Sequence, residues 1–147
     1  MTTYEVGLLD TNVLVHASDG GSPFHGSAKA LRDRGLKGEV PVCVCPQVLN
    51  EFFAVITNPK RVSGPRPQDE ARNEMEKYVR ARKVMKIFPR TDIVENVLEL
   101  LKRYQVTRQG IFDLQLLATM VSNRVTLIYT YNQVHFSRFK EITVVTP

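Results

Sequence analysis

Val6-Gly7-Leu8-Leu9-Asp10-Thr11-Asn12-Val13-Leu14-Val15 is an apolar run interrupted by three polar residues, and its reading decides the fold. Residues 5–9 read as a first strand, and the β-branched and apolar residues after Asp10 as a helix. Asp10 then stands at the carboxyl end of a strand. Downstream, Ser22-Pro23 gives a helix start, with the hydroxyl as N-cap and proline at the first helical position, and Gly35 a left-handed stop. Phe24, Ala28 and Leu31 supply that helix's apolar stripe.

A strand at 40–44 leads into Pro46, which opens a helix carrying Glu51 and ending near Asn58-Pro59. Residues 59–67 form a basic, proline-rich connector expected to be an exposed loop. A charged helix over 68–82 follows, with Ala71, Met75, Tyr78 and Val79 as its buried side, then a strand at 84–88. Asp92-Ile93-Val94-Glu95 resembles a capping arrangement, and Ile93, Val97, Leu100, Leu101 and Tyr104 stripe a helix to about 105. Residues 111–121 read as a helix, 125–129 as a strand and 142–145 as a last short strand. Short strands alternating with helices imply an α/β domain whose largely parallel sheet is covered on both faces. In such sheets, ligands bind where loops leave the carboxyl ends of strands, the position of both Asp10 and Thr130-Tyr131-Asn132.

At 147 residues the chain fits one domain, 1–147, with 43% hydrophobic and 24% charged residues and no long low-complexity stretch. No segment approaches the roughly 20 apolar residues of a membrane span. The first residues lack the basic region and uninterrupted apolar core of a signal peptide. Cys43 and Cys45, the only cysteines, lie two apart on one strand, too close for a disulfide and without partners for zinc, so they read as small core residues. Together these features imply a reducing, cytoplasmic setting. The net charge of +5 is uneven: residues 60–90 hold ten Lys or Arg against four acids, a surplus of +6 that leaves −1 for the remainder. A basic flank beside a carboxylate-bearing core suits an enzyme acting on a polyanion, and the bland alternative is a solvated helix face.

Asp10, Glu51 and Asp113 are carboxylates set in apolar patterns. Asp113 shares a helix face with Leu116, Leu117 and Met120. An ionised carboxylate in such surroundings needs a charged partner, hydrogen bonds, a raised pKa or a cation, and three converging acids would repel one another unless a divalent metal joined them. Thr11, Asn12, Thr130 and Asn132 add neutral oxygens of the kind magnesium and manganese accept. A metal so held can polarise a phosphate oxygen and lower the pKa of a bound water, as phosphodiester hydrolysis requires.

The order of motifs, Leu8-Leu9-Asp10-Thr11-Asn12-Val13-Leu14-Val15, Leu49-Asn50-Glu51-Phe52-Phe53, Phe112-Asp113-Leu114-Gln115-Leu116-Leu117-Ala118-Thr119-Met120 and Tyr129-Thr130-Tyr131-Asn132-Gln133-Val134-His135-Phe136, resembles the PIN-domain ribonucleases, and more closely the VapC-type toxins of toxin–antitoxin pairs. The resemblance covers essentially the whole chain. It implies a three-layer α/β/α sandwich around a mostly parallel sheet, and an endoribonuclease whose Asp10, Glu51 and Asp113 bind magnesium or manganese and a water nucleophile. It further implies a homodimer and inhibition by a small antitoxin whose C-terminal segment occupies the active-site groove.

The last motif departs from the family pattern. Many members have an acid where Asn132 stands and an aspartate where His135 stands. Asn132 is then a neutral ligand or water-positioning group, and one metal is expected rather than two. His135, Arg108, Thr11, Asn12 and Thr130 are candidate RNA contacts, His16 and His25 receive no role, and Phe52 and Phe53 suit core or dimer packing. The stretch from Lys60 to Arg90 is the expected contact for substrate or antitoxin. The alternative function is a PIN-like RNA-binding or protein-interaction domain that has lost turnover, as Asn132 and His135 in place of acids suggest. An aspartyl-phosphate phosphatase, which needs a second aspartate where Asn12 stands, ranks below both.

Overall fold

A computed structural model describes residues 5–147, so the first four residues of the expected 1–147 domain lie outside the described part. The elements run β1 (Gly7–Leu9), α1 (Thr11–Ser18), α2 (His25–Lys37), β2 (Val42–Val44), α3 (Pro46–Ile56) and α4 (Gln68–Arg80). They continue as β3 (Val84–Lys86), α5 (Ile93–Arg103), α6 (Gly110–Ser122), β4 (Leu127–Tyr129), α7 (Gln133–Phe136) and β5 (Thr143–Val145). All five strands pair in parallel, in the order β3-β2-β1-β4-β5. Helix α1 packs against both α2 and α3, α3 against α4, and α5 on α6. The fold is the α/β sandwich expected from the alternation of strands and helices.

The strand order positions the site. The chain steps outward from β1 through β2 to β3, then returns to lay β4 on the other side of β1. The direction of winding reverses between β1 and β4, and at such a switch point the connections diverge and leave a crevice at the strands' carboxyl ends. Leu9 stands opposite Tyr129, so the next residues, Asp10 and Thr130, meet at the mouth of that crevice.

Burial on both faces explains why β1 and β2 are apolar throughout: Gly7, Leu8, Leu9, Val42, Cys43 and Val44 are all buried. Leu8, Ile128, Phe52, Leu114 and Leu117 are fully enclosed in one contiguous core, where truncating a leucine to alanine costs about 2–5 kcal/mol. Phe52 meets Tyr78 edge to face at 6.1 Å, and Phe53 packs partly buried against the core. Cys43 and Cys45 are free and buried, with burial pushing the Cys43 thiol up to about 12, so neither is a reactive thiolate. No helix among the described residues is long and apolar enough to cross a membrane.

Several local expectations are corrected. Helix α2 starts at His25, not Ser22-Pro23, and its N-cap Phe24 makes no side-chain cap bond. Ser22 is diverted into the preceding turn, where its hydroxyl accepts from the Phe24 amide and bonds to His16 Nδ1 at 2.7 Å. Phe24 is 46% exposed rather than buried, lying against Tyr131 with ring centroids 4.7 Å apart. Gly35 is inside the helix, not at its end. A Cβ there would come within 2.6 Å of Val42, so this glycine permits close helix–sheet packing, while Gly38, at φ +79°, supplies the left-handed stop.

On α4 the buried face is Ala71, Glu74 and Tyr78, and Val79 is exposed. Glu74 takes the inward position because Lys77 at 2.8 Å and Arg66 at 3.8 Å partner its carboxylate. Leu101 on α5 is also exposed. Asp92 precedes α5 but makes no capping bond; it pairs with Arg90 at 3.6 Å instead.

Candidate active site

Asp10 is the N-cap of α1, extended at φ −68° and ψ 158°, with its Oδ1 accepting from the Thr11 amide at 2.8 Å. The same carboxylate accepts at Oδ2 from Thr130 Oγ1 at 2.7 Å and from Asn12 Nδ2 at 3.3 Å. Asn12 Nδ2 also donates to Thr130 Oγ1 at 3.1 Å, and Asn12 Oδ1 accepts from the Tyr131 amide at 3.1 Å. The Asn132 amide completes the set by donating to Thr130 Oγ1 at 2.9 Å. Thr130 thus gives its one hydroxyl proton to Asp10 and accepts two donors in return, so every polar atom of the knot is used.

Burial dominates the electrostatics of Asp10 and pushes its carboxyl above the ordinary carboxylate value. The Thr130 and Thr11 hydrogen bonds pull in the opposite direction, and the charges of Glu51 and Asp113 push it up again. Glu51 enters from α3, where Thr11 Oγ1 donates to its Oε2 at 2.9 Å and Gln47 Nε2 lies 3.4 Å from its Oε1. Gln47 also donates to the Phe112 carbonyl at 3.0 Å, tying the first turn of α3 to the first turn of α6, which carries Asp113. His135 Nδ1 lies 3.4 Å from Asp113 Oδ2, a contact in which the ring nitrogen must carry the proton because the carboxylate only accepts.

These groups share a groove of about 830 Å³, lined by Asp10, Thr11, Asn12, Glu51, Asp113, Asn132 and His135 among others. Two candidate contacts fall outside it. Thr130 is fully buried beneath Asp10, beyond a substrate's reach, because the register that aligns β4 with β1 turns its hydroxyl inward. Arg108 does not line the groove; in the turn before α6 its backbone is at φ 53°, and Gln109 and Gly110 take the lining position.

Gln47 was missed, although it stands four residues before Glu51 on the same helix face, which is the signal that could have found it. His16, assigned no role, lines the groove and bonds to Ser22. Phe112, half-exposed beside Asp113, and Arg61 also line it. Of the basic stretch 60–90, Arg61 alone reaches the groove, while Arg72, Lys77 and Arg80 pair with acids of their own helix α4.

Among the described residues, no three His, Cys, Asp or Glu side chains come together closely enough to enclose a metal ion by themselves. The donor set still fits a hard, hydrated cation. Magnesium keeps several of its waters and is usually held through one or two carboxylates, and a cation here would offset both the burial that chiefly raises the Asp10 carboxyl and the charges of Glu51 and Asp113 that add to it.

A family model described as PIN domain matches residues 7–142. The chain is 28% identical over 131 residues to Ribonuclease VapC24 of Mycobacterium tuberculosis strain H37Rv, covering 89% of both proteins. Its fold is similar to the crystal structure of Mycobacterium tuberculosis VapC20, described as a Sarcin-Ricin loop cleaving toxin, with a TM-score of 0.68, 18% identity and coverage of 94% of this chain and 98% of that one. A toxin–antitoxin complex from Klebsiella pneumoniae contains a similar fold, with a TM-score of 0.63, 20% identity and coverage of 96% and 97%.

Proposed function

The chain belongs to the PIN domain family, and from that premise we propose that it is a metal-dependent endoribonuclease, the cytoplasmic toxin of a VapBC-type toxin–antitoxin pair, acting as one domain over residues 1–147. The supporting observation is that Asp10, Glu51 and Asp113, carried by three separate elements, line one groove at the switch point of the sheet. Asp10, Glu51 and Asp113 would hold magnesium or manganese, through intervening waters where a side chain stands back. Bound there, the ion supplies a Lewis acid for a phosphate oxygen and a water of lowered pKa.

The chain's own residues do the positioning. Thr130, Thr11 and Asn12 fix the Asp10 oxygens, while Thr11 and Gln47 hold the two Glu51 oxygens. Asn132 lines the groove as a neutral group suited to orienting a water. His135, beside Asp113, is suited to donating a hydrogen bond to a phosphate oxygen. RNA is the substrate in this reading, a small antitoxin occupies the groove when activity is blocked, and the chain works as a homodimer.

The test is cleavage of a mixed RNA pool by the purified protein with magnesium or manganese. Cutting should stop with chelator and with Asp10→Asn or Asp113→Asn, while circular dichroism shows the fold intact. No cutting at high enzyme concentration with either ion defeats the reading. Asn132 and His135, which line the groove where many family members carry acids, favour one second reading, a domain that binds RNA without turnover. Chelator-insensitive RNA binding without any cleavage is its signature.

A further inference from the structure

Arg61 stands apart from the rest of the basic stretch. The cations of α4 are committed to their own helix, Arg72 to Glu76 at 2.8 Å, Lys77 to Glu74 at 2.8 Å and Arg80 to Glu76 at 3.2 Å. Arg66 donates to the Ser18 carbonyl at 2.6 Å, and Lys86 to the Ala81 carbonyl at 2.6 Å. Arg61 makes no salt bridge among the described residues, yet it lines a groove that holds three carboxylates. An unpaired guanidinium beside clustered acids is placed for an anion that enters from outside.

The course of the groove says which anion. Gln47, Glu51, Ala54 and Val55 line it from one face of α3, the i, i+4, i+7, i+8 spacing that brings side chains into one stripe. Beyond Glu51 the α3 residues that line the groove are Ala54 and Val55, an uncharged stretch with a rise of about 6 Å from Glu51 to Val55. Helix α3 ends at Ile56, and Asn58 organises the turn after it: its carbonyl accepts from Arg61 N at 2.9 Å and Val62 N at 3.1 Å, and its side chain from Lys60 N at 2.9 Å. That turn, just past the end of α3, carries Arg61, which lines the same groove as the carboxylates.

The geometry points to Arg61 as the phosphate anchor for a single RNA strand laid along α3, holding a phosphodiester adjacent to the one at the carboxylates. A planar guanidinium matches two phosphate oxygens at once, which a lysine does not reproduce. This inference rests on the ribonuclease reading for its substrate class, but it concerns binding and is measured without turnover.

The experiment is fluorescence anisotropy of a labelled single-stranded oligoribonucleotide with the full chain, in chelator and in an Asp113→Asn background, across a salt series. Arg61→Ala should weaken binding about tenfold. It should also lower the slope of log affinity against log salt by about 0.7, the share of one phosphate contact on a single strand. Arg61→Lys should keep the slope and recover only part of the affinity. Arg72→Ala and Arg80→Ala should change neither, and the melting temperature of every variant should match the parent.

Unchanged affinity and slope in Arg61→Ala overturn the assignment, as does an equal loss in the α4 variants or a parent that binds no RNA. If Arg61→Ala spares RNA binding but weakens capture of a carboxylate-bearing protein partner, Arg61 serves that partner and the RNA assignment fails. Cleavage by the unsubstituted chain is scored separately, so failure of the nuclease reading is not confused with failure of the anchor.

Discussion

Asp10 is 7% exposed and receives hydrogen bonds from Thr11, Asn12 and Thr130, whereas the Asp113 side chain is 23% exposed and has His135 at 3.4 Å as its side-chain partner among the described residues. Both acids line the same groove, but they are held by different means. Asp10 is fixed from beneath by the register of two buried strands, and Asp113 sits on the first turn of a helix with its partner largely in solvent. Burial makes the Asp10 carboxylate costly to ionise and its position rigid, while the more open setting of Asp113 leaves its side chain adjustable. Within one carboxylate cluster, the Asp10 side is therefore preorganised at the expense of stability, and the Asp113 side can adapt to what binds.

The largest expected effect separates function from stability on the Asp10 side. Asp10→Asn should lower cleavage at least about 100-fold, since removing a group that merely orients a metal ligand already costs roughly 10–100-fold. The same variant should melt no lower than the parent at pH 7, because it removes a buried charge; a substantially lower melting temperature would break the contrast. Thr130→Val comes next. It takes away the shortest donor to Asp10 and leaves a buried carboxylate short of a partner, so activity should fall about 10–100-fold and stability by about 1–3 kcal/mol. Urea unfolding alongside an initial-rate assay reads both.

The pH dependence sharpens the comparison further. The Asp10 carboxyl is raised above its unfolded value of 3.8, by burial first. The native state therefore holds its proton more tightly than the unfolded chain, and stability is lost as pH rises from that value through the raised one. The stability advantage of Asp10→Asn over the parent should grow across that window and level off above it. A difference that stays constant from pH 3 to pH 8 would remove the burial argument. The smallest effect is on the Asp113 side: His135→Ala should shift stability by less than about 0.5 kcal/mol and activity by less than about tenfold, with the residual contact of Asp113 to solvent compensating.

Much of this contrast could be read along the chain. The mismatch of Asp10 with the apolar run around it identified the rigid carboxylate, and the proline at Pro46 correctly opened the helix bearing Glu51. The same patterns misled where a residue had two uses. Phe24 matches a helix stripe by spacing yet lies half-exposed against Tyr131, a residue far off in sequence. Val79 looks more suited to burial than Glu74, but Arg66 and Lys77 offer Glu74 partners that Val79 does not need. Gly35 reads as the helix stop along the chain, but the close approach of Val42 gives it a packing role and the stop falls to Gly38 at φ +79°.

The sequence by itself determined the alternating α/β layout and the strand end occupied by Asp10, the one acid of the three that is buried, because hydrophobic period and local capping chemistry are properties of neighbours along the chain. Glu51, expected among apolar neighbours, is exposed on α3, and Asp113 is only partly buried, because the helix faces that carry them border the groove. Only the tertiary structure decided that Thr130 lies beneath Asp10 rather than before a substrate, that Gln47 links α3 to the turn carrying Asp113, and that one arginine out of ten basic residues faces the groove. Those outcomes depend on strand order and register, and hydrogen bonds and charges act through distances in space that no spacing along the chain encodes.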